Sequence, residues 1–166
     1  ILVAFREAVA LGYRRIGLAI GRRIQLRSEN RWLAGFSLMQ AEHRTLPRLP
    51  AFEADDLTLE TFKAWMKRVR PDVVIFETIP AKLPVWLHSL RLDAPRDLGV
   101  IGLNVYELGD EQTGVCQVGR EVGRTGLELL AAMVERHQVG LPAHPTTLLV
   151  KGVWNKGKTA PPRVRA

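Results

Sequence analysis

The sequence predicts an α/β fold, with mainly parallel sheets and flanking helices. Two observations carry this. Five short runs (RRIGLAI, DVVIF, DLGVIGLN, TGVCQV and TTLLVKGVW) are apolar almost throughout, as strands buried on both faces are. Between most of them lie longer stretches whose apolar residues recur at helical spacing, so helix and strand alternate along most of the chain.

The elements follow in order. Leu2, Phe5, Ala8 and Val9 share one helical face, and Gly12 sits where a C-terminal cap glycine belongs. RRIGLAI is a buried strand ending at Gly21, and RRIQLRSEN is expected as the loop after it. Ser28 or Asn30 can cap the next helix, with Trp32, Leu33, Phe36 and Met39 inward. LPRLPAF, framed by Pro47 and Pro50, suits a loop or edge strand. DDLTLETFKAWMKRVRP begins acidic and ends basic, as the helix dipole favours, and Pro71 stops it. DVVIF is the second strand. LPVWLHSLRL is a short helix with Pro84 in its first turn. DLGVIGLN and TGVCQV are the third and fourth strands. GREVGRTGLELLAAMVERHQVG is the longest helix, with Val122, Leu129, Leu130 and Met133 inward and Gly140 as its stop. TTLLVKGVW is the last strand, and the polar segment 157–166 is expected to fray.

The chain has 166 residues, enough for one compact domain or two lobes with small cores. No apolar run approaches the roughly 20 residues of a membrane span, so no membrane partner is expected. The one cysteine, Cys116, excludes an intrachain disulfide and reads as a small buried apolar residue. The opening ILVAFREAVALGYRR has no initiator methionine or leader layout and enters a helix directly, so the chain is read as part of a longer one. The net charge of +7 suits an anionic partner, but the basic residues are scattered, with no long basic helix and no zinc-finger spacing.

His43, His88, His137 and His144 fall in separate elements without metal-ligand spacing, so no metal or other cofactor is expected. There is no GxSxG elbow or phosphate-binding loop, and no legible acid–base pair, so no catalytic residues are expected and the chain is not read as an enzyme. In open α/β sheets ligands bind at the carboxyl ends of the strands. That rule selects Asn30, Arg31 and Trp32 after the first strand, Glu77 and Thr78 after the second, and Asn104 at the end of the third. Amide and carboxylate groups offer directed hydrogen bonds to a polyol, and an indole offers a flat apolar face.

The order of segments resembles the LacI/GalR-type transcriptional regulators. LGYRRIGLAIG, NRWLAGF, RPDVVIFETIPAKL, APRDLGVIGLN, TGVCQVGREVGRTGLELLAAM and LLVKGVW each match a family segment, in family order, over nearly the whole chain. The resemblance implies a periplasmic-binding-protein-like sensor fold with two α/β lobes. A small effector, a sugar by expectation, binds between them and sets operator affinity through lobe closure. It implies a cytoplasmic homodimer that meets DNA through an upstream headpiece absent from this chain. It assigns residues 1–21 and 118–150 to an incomplete amino-terminal lobe, and 22–117 with 151–156 to the carboxy-terminal effector lobe.

The family pattern is altered at its effector positions. The family's effector-binding arginine lies three residues before the glycine of its R-L-x-G-F helix; Trp32 stands there, and Arg31 is about 100° around the helix. The family's Asn-Asp pair becomes Glu77 and Thr78, and the aspartate after its third strand becomes Asn104. Two other readings stay open: a solute-binding protein of a sugar transporter with the same fold, and a small α/β enzyme using Glu77 as acid or base.

Overall fold

The computed structural model describes residues 1–138, 140–142 and 144–163. Its centre is one five-stranded sheet in the order β1 (Ile16–Leu18), β2 (Val73–Phe76), β3 (Gly99–Val105), β4 (Gly114–Cys116), β5 (Val153–Asn155). The first four run parallel, and β5 pairs antiparallel with β4. The mainly parallel α/β architecture is the expected one.

Side-chain alternation splits the core into two layers. Val73, Ile75, Ile101 and Leu103 face one layer, built by α1 (Leu2–Ala10) and α3 (Arg31–Glu42) through Phe5, Ala8, Phe36 and Met39. Val74, Phe76 and Val100 face the other, built by α4 (Leu59–Val69) and α5 (Leu83–Ser89) through Phe62, Trp65, Met66, Trp86 and Leu87. Helices on both faces explain why the strand runs are apolar without interruption.

Local chemistry fixes the ends of these elements. Thr58 caps α4: its hydroxyl accepts from the Thr61 amide at 3.3 Å, and the Thr61 hydroxyl accepts from the Thr58 amide at 2.9 Å. The Asp72 carboxylate accepts from the amides of Arg14 and Arg15, both at 2.9 Å, joining the entry of β1 to that of β2. Buried Asn155 accepts from the Gly109 amide and donates to the carbonyls of Asp110 and Gln112, which fastens the β3–β4 loop to β5.

Several expectations need correction. RRIQLR is not loop but a helix, α2 (Arg22–Arg27), whose one buried residue, Gln25, accepts from the Leu33 amide of α3. Neither Ser28 nor Asn30 caps α3 by its side chain: the Ser28 hydroxyl bonds back to the Gln25 carbonyl, and Asn30 holds the N-cap position in the left-handed region with no side-chain bond. Leu33 is exposed rather than inward. LPRLPAF is loop.

The longest helix, α6 (Gly119–Glu135), buries none of its residues, so Val122, Leu129, Leu130 and Met133 do not enter this core. It also stops short of Gly140.

The tail corrects the expectation of fraying over its described part. Thr159 donates to the Val100 carbonyl at 2.7 Å and accepts from the Thr113 amide at 2.9 Å. Ala160 is buried, and the Arg163 amide donates to the Leu11 carbonyl at 2.7 Å. Residues 164–166 lie outside the described residues. β1 pairs with β2 and α1 packs on α3, so residues 1–21 share one core with 22–117.

Candidate effector cleft

The carboxyl ends of β1, β2, β3 and β4 line one rim of the sheet; Glu77 and Thr78 follow β2, Asn104 is the next-to-last residue of β3, and Asn30, Arg31 and Trp32 open α3 beyond α2. The β1–β2 pairing continues one residue past the strand, where the Ala19 amide donates to the Ile75 carbonyl at 2.9 Å; the chain then turns through Gly21 into α2. A side-chain carbon on Gly21 would lie 2.7 Å from the Asp55 carbonyl, so only glycine allows this approach. Phe76 pairs with Gly102, which sets Glu77 and Thr78 just beyond the last rung of β2, beside the end of β3 that carries Asn104.

The selected residues do not converge on one hollow. Glu77 and Thr78 line a cavity of about 80 Å³ with Gly21, Arg23, Asp55 and Asp56. Its charge is mainly acidic: three carboxylates face one arginine, and Arg23 pairs with Asp56 at 3.6 Å. Trp32 lines a separate cavity of about 290 Å³ with Leu103, Val115, Gln117, Val122 and Val150. The indole is half-buried, packed against the α1–α3 core layer. Asn104 is exposed one residue beyond Leu103. Asn30 and Arg31 are exposed outside both hollows, and the Arg31 guanidinium pairs with Glu29 at 2.7 Å.

Sequence reasoning missed Gln117, whose side-chain amide donates to the Leu103 carbonyl at 3.3 Å. It directly follows β4, so the rule that selected the others reaches it too. Size alone does not mark the cleft. A larger hollow, about 990 Å³, runs along α5 past Leu83, Leu87, Leu92 and Val100, and none of the six selected residues lines it.

The periplasmic binding protein-like domain model matches residues 5–153, most of the chain. This is a periplasmic binding protein-like domain. No curated protein matches it in sequence.

Among solved structures, the domain is similar to a LacI family transcriptional regulator from Enterococcus faecium with bound ribose. That match has 16% identity and a TM-score of 0.68, and covers 98% of this chain and 62% of that one. It is also similar to the transcription regulator CcpA of Lactococcus lactis, at 15% identity and TM-score 0.63 over 96% and 61% of the two chains. A third likeness is the lac repressor dimer bound to operator and the anti-inducer ONPF, at 20% identity and TM-score 0.67 over 96% and 57%. The domain thus spans about three fifths of the length of these structures.

Proposed function

We propose that the domain is the effector-sensing part of a LacI-type transcriptional regulator, cytoplasmic and dimeric, with DNA contact made by a headpiece outside this chain. The carrying observation is the Trp32 cavity at the carboxyl rim of the parallel sheet, in a domain similar over nearly its whole length to such regulators. The rim is where open α/β sheets take ligands. Trp32 is the residue we assign to the effector, with Glu77, Thr78 and Asn104 offering polar contacts along the same rim. Asn30 and Arg31 take a lesser part, as flanking groups at the start of α3. A sugar is the effector class that the regulator resemblance suggests.

The uncovered helix α6 supports a second lobe. Segment 118–150 belongs to it in this reading, and the lobe made of β1–β5 with residues 156–163 forms the other wall of the cleft. Binding between the lobes favours one lobe angle, and the effector acts only through its differential affinity for the two angles. No covalent step is required.

A thermal-shift screen of small molecules tests the reading, since any ligand of the native state raises the melting temperature. Stoichiometric binding without turnover supports it. Turnover of a bound candidate dependent on Glu77 would replace it with the enzyme reading. A secretory leader in the upstream coding sequence, in place of a helix-turn-helix segment, would replace it with a solute-binding protein.

A further inference from the structure

The chemistry of the Trp32 cavity narrows the ligand. Its wall is the side chains of Ile1, Trp32, Leu103, Val115, Val122 and Val150 with the backbone of Gly152, and Gln117 is the one polar side chain among the described residues that line it. Charged side chains line the neighbouring Glu77 cavity, and none among the described residues lines this one. Gln117 is partly committed already, because its amide nitrogen donates to the Leu103 carbonyl. That leaves it one amide hydrogen and the side-chain oxygen.

A free sugar carries several hydroxyls, and each one buried without a partner is penalised. One partly committed amide group cannot serve them all. A flat apolar ring has the opposite needs: it stacks or packs edge-on against indole, loses water from both faces, and uses at most one hydrogen bond. The volume of about 290 Å³ sits at the low end of small-molecule pockets, roughly 300–1,000 Å³, and suits one ring or a fused pair.

We infer that the group seated against Trp32 is an uncharged, flat apolar ring with a single hydrogen-bond donor toward Gln117, rather than a free sugar. This rests on the effector reading of the cleft and replaces the sugar that the regulator resemblance suggests with another ligand class.

Saturation-transfer NMR on the 166-residue chain tests it, with indole as the probe and D-ribose as the polar comparison. Indole is expected to receive transfer from the protein and ribose is not. Trp32→Ala should reduce the indole signal at least fivefold. Val122→Asp should do the same by placing a carboxylate in the wall. Val122 is 48% exposed and lies in the first turn of α6, where an acid suits the helix dipole, so this variant keeps its fold. Leu127→Ser, on the exposed surface of α6, should leave the signal unchanged and so separates the cavity from general apolar binding.

The inference is overturned if indole gives no transfer, or if its signal survives both Trp32→Ala and Val122→Asp. It is also overturned if ribose binds and loses its signal in Trp32→Ala. That last outcome would leave the cleft an effector site and remove only the ligand class, so the two failures are told apart.

Discussion

Gly99 and Tyr13 meet so closely that a side-chain carbon on the glycine would lie 2.6 Å from the tyrosine hydroxyl oxygen and 2.7 Å from the ring carbon bearing it. The ring cannot step aside. It is fully buried, and its hydroxyl donates to the Pro161 carbonyl at 2.9 Å. Gly99→Ala is therefore an overpacking change at the start of β3, expected to cost about 1–3 kcal/mol in urea denaturation. A variant as stable as the parent would show that the β3 entry can shift freely.

The same hydroxyl makes stability depend on alkaline pH. Burial raises the Tyr13 pKa above its ordinary value of about 10, because the phenolate would be desolvated; nearby Arg163 opposes this in part. The folded state therefore holds the proton more tightly than the unfolded chain. The contribution is fully present below the ordinary tyrosine pKa and is lost as pH rises through the raised one. Denaturation midpoints across the alkaline range should fall more steeply for the parent than for Tyr13→Phe. That variant should also be about 1 kcal/mol less stable at neutral pH, from the lost bond to Pro161.

Asp72 gives a second stability test. Its two carboxylate oxygens each accept one backbone amide, from Arg15 and from Arg14. Asp72→Asn keeps a single acceptor oxygen and leaves one amide facing an NH₂ group. The expected loss is about 1–2 kcal/mol, read from the denaturation midpoint at unchanged slope. A changed slope would indicate that the variant alters the denatured state instead.

How much of this was legible in the sequence depends on what holds each segment. β1, β2, β3 and β4 were legible because burial on both faces leaves continuous apolar runs such as Val73–Phe76. α2 was not, since RRIQLR buries only Gln25 and carries no capping residue. The tail was misread for a similar reason. It is fastened by the Thr159 hydroxyl and by backbone groups of Leu11 and Pro161, which composition does not reveal. In the candidate cleft, the strand-end rule selected Glu77 and Thr78, which share one hollow. It could not foresee that Trp32 would line a different hollow, because that depends on which layer α3 joins and how it packs there.

Trp32 and Trp86 should separate binding from stability. Trp86 lies in the α4–α5 core layer with its ring centroid 5.7 Å from that of Phe62. Trp86→Ala should cost about 3–5 kcal/mol of stability. Where the variant remains folded, it should bind a cleft ligand as the parent does. Trp32→Ala should show the reverse: weaker ligand binding in calorimetric titration, with a smaller loss of stability because the indole is half-buried. Equal affinities in the two variants would remove Trp32 from the cleft.

The surface of α6 yields the last prediction. Leu127 is 69% exposed, Leu130 56% and Val134 66%, and together they lie along one side of the helix at spacings of three and four residues. An apolar stripe of this kind on a helix that buries none of its residues promotes association in water. The 166-residue chain should therefore sediment with a concentration-dependent fraction of larger species. Replacing both Leu127 and Leu130 by serine should move that fraction to monomer. Because neither side chain supports the five-stranded core, the double variant should stay within about 0.5 kcal/mol of the parent's stability when both are measured as monomers. Sedimentation velocity and urea denaturation read the two quantities separately. A loss above about 2 kcal/mol would mean that α6 packs on the core in solution, since only a buried apolar side chain carries a cost of that size.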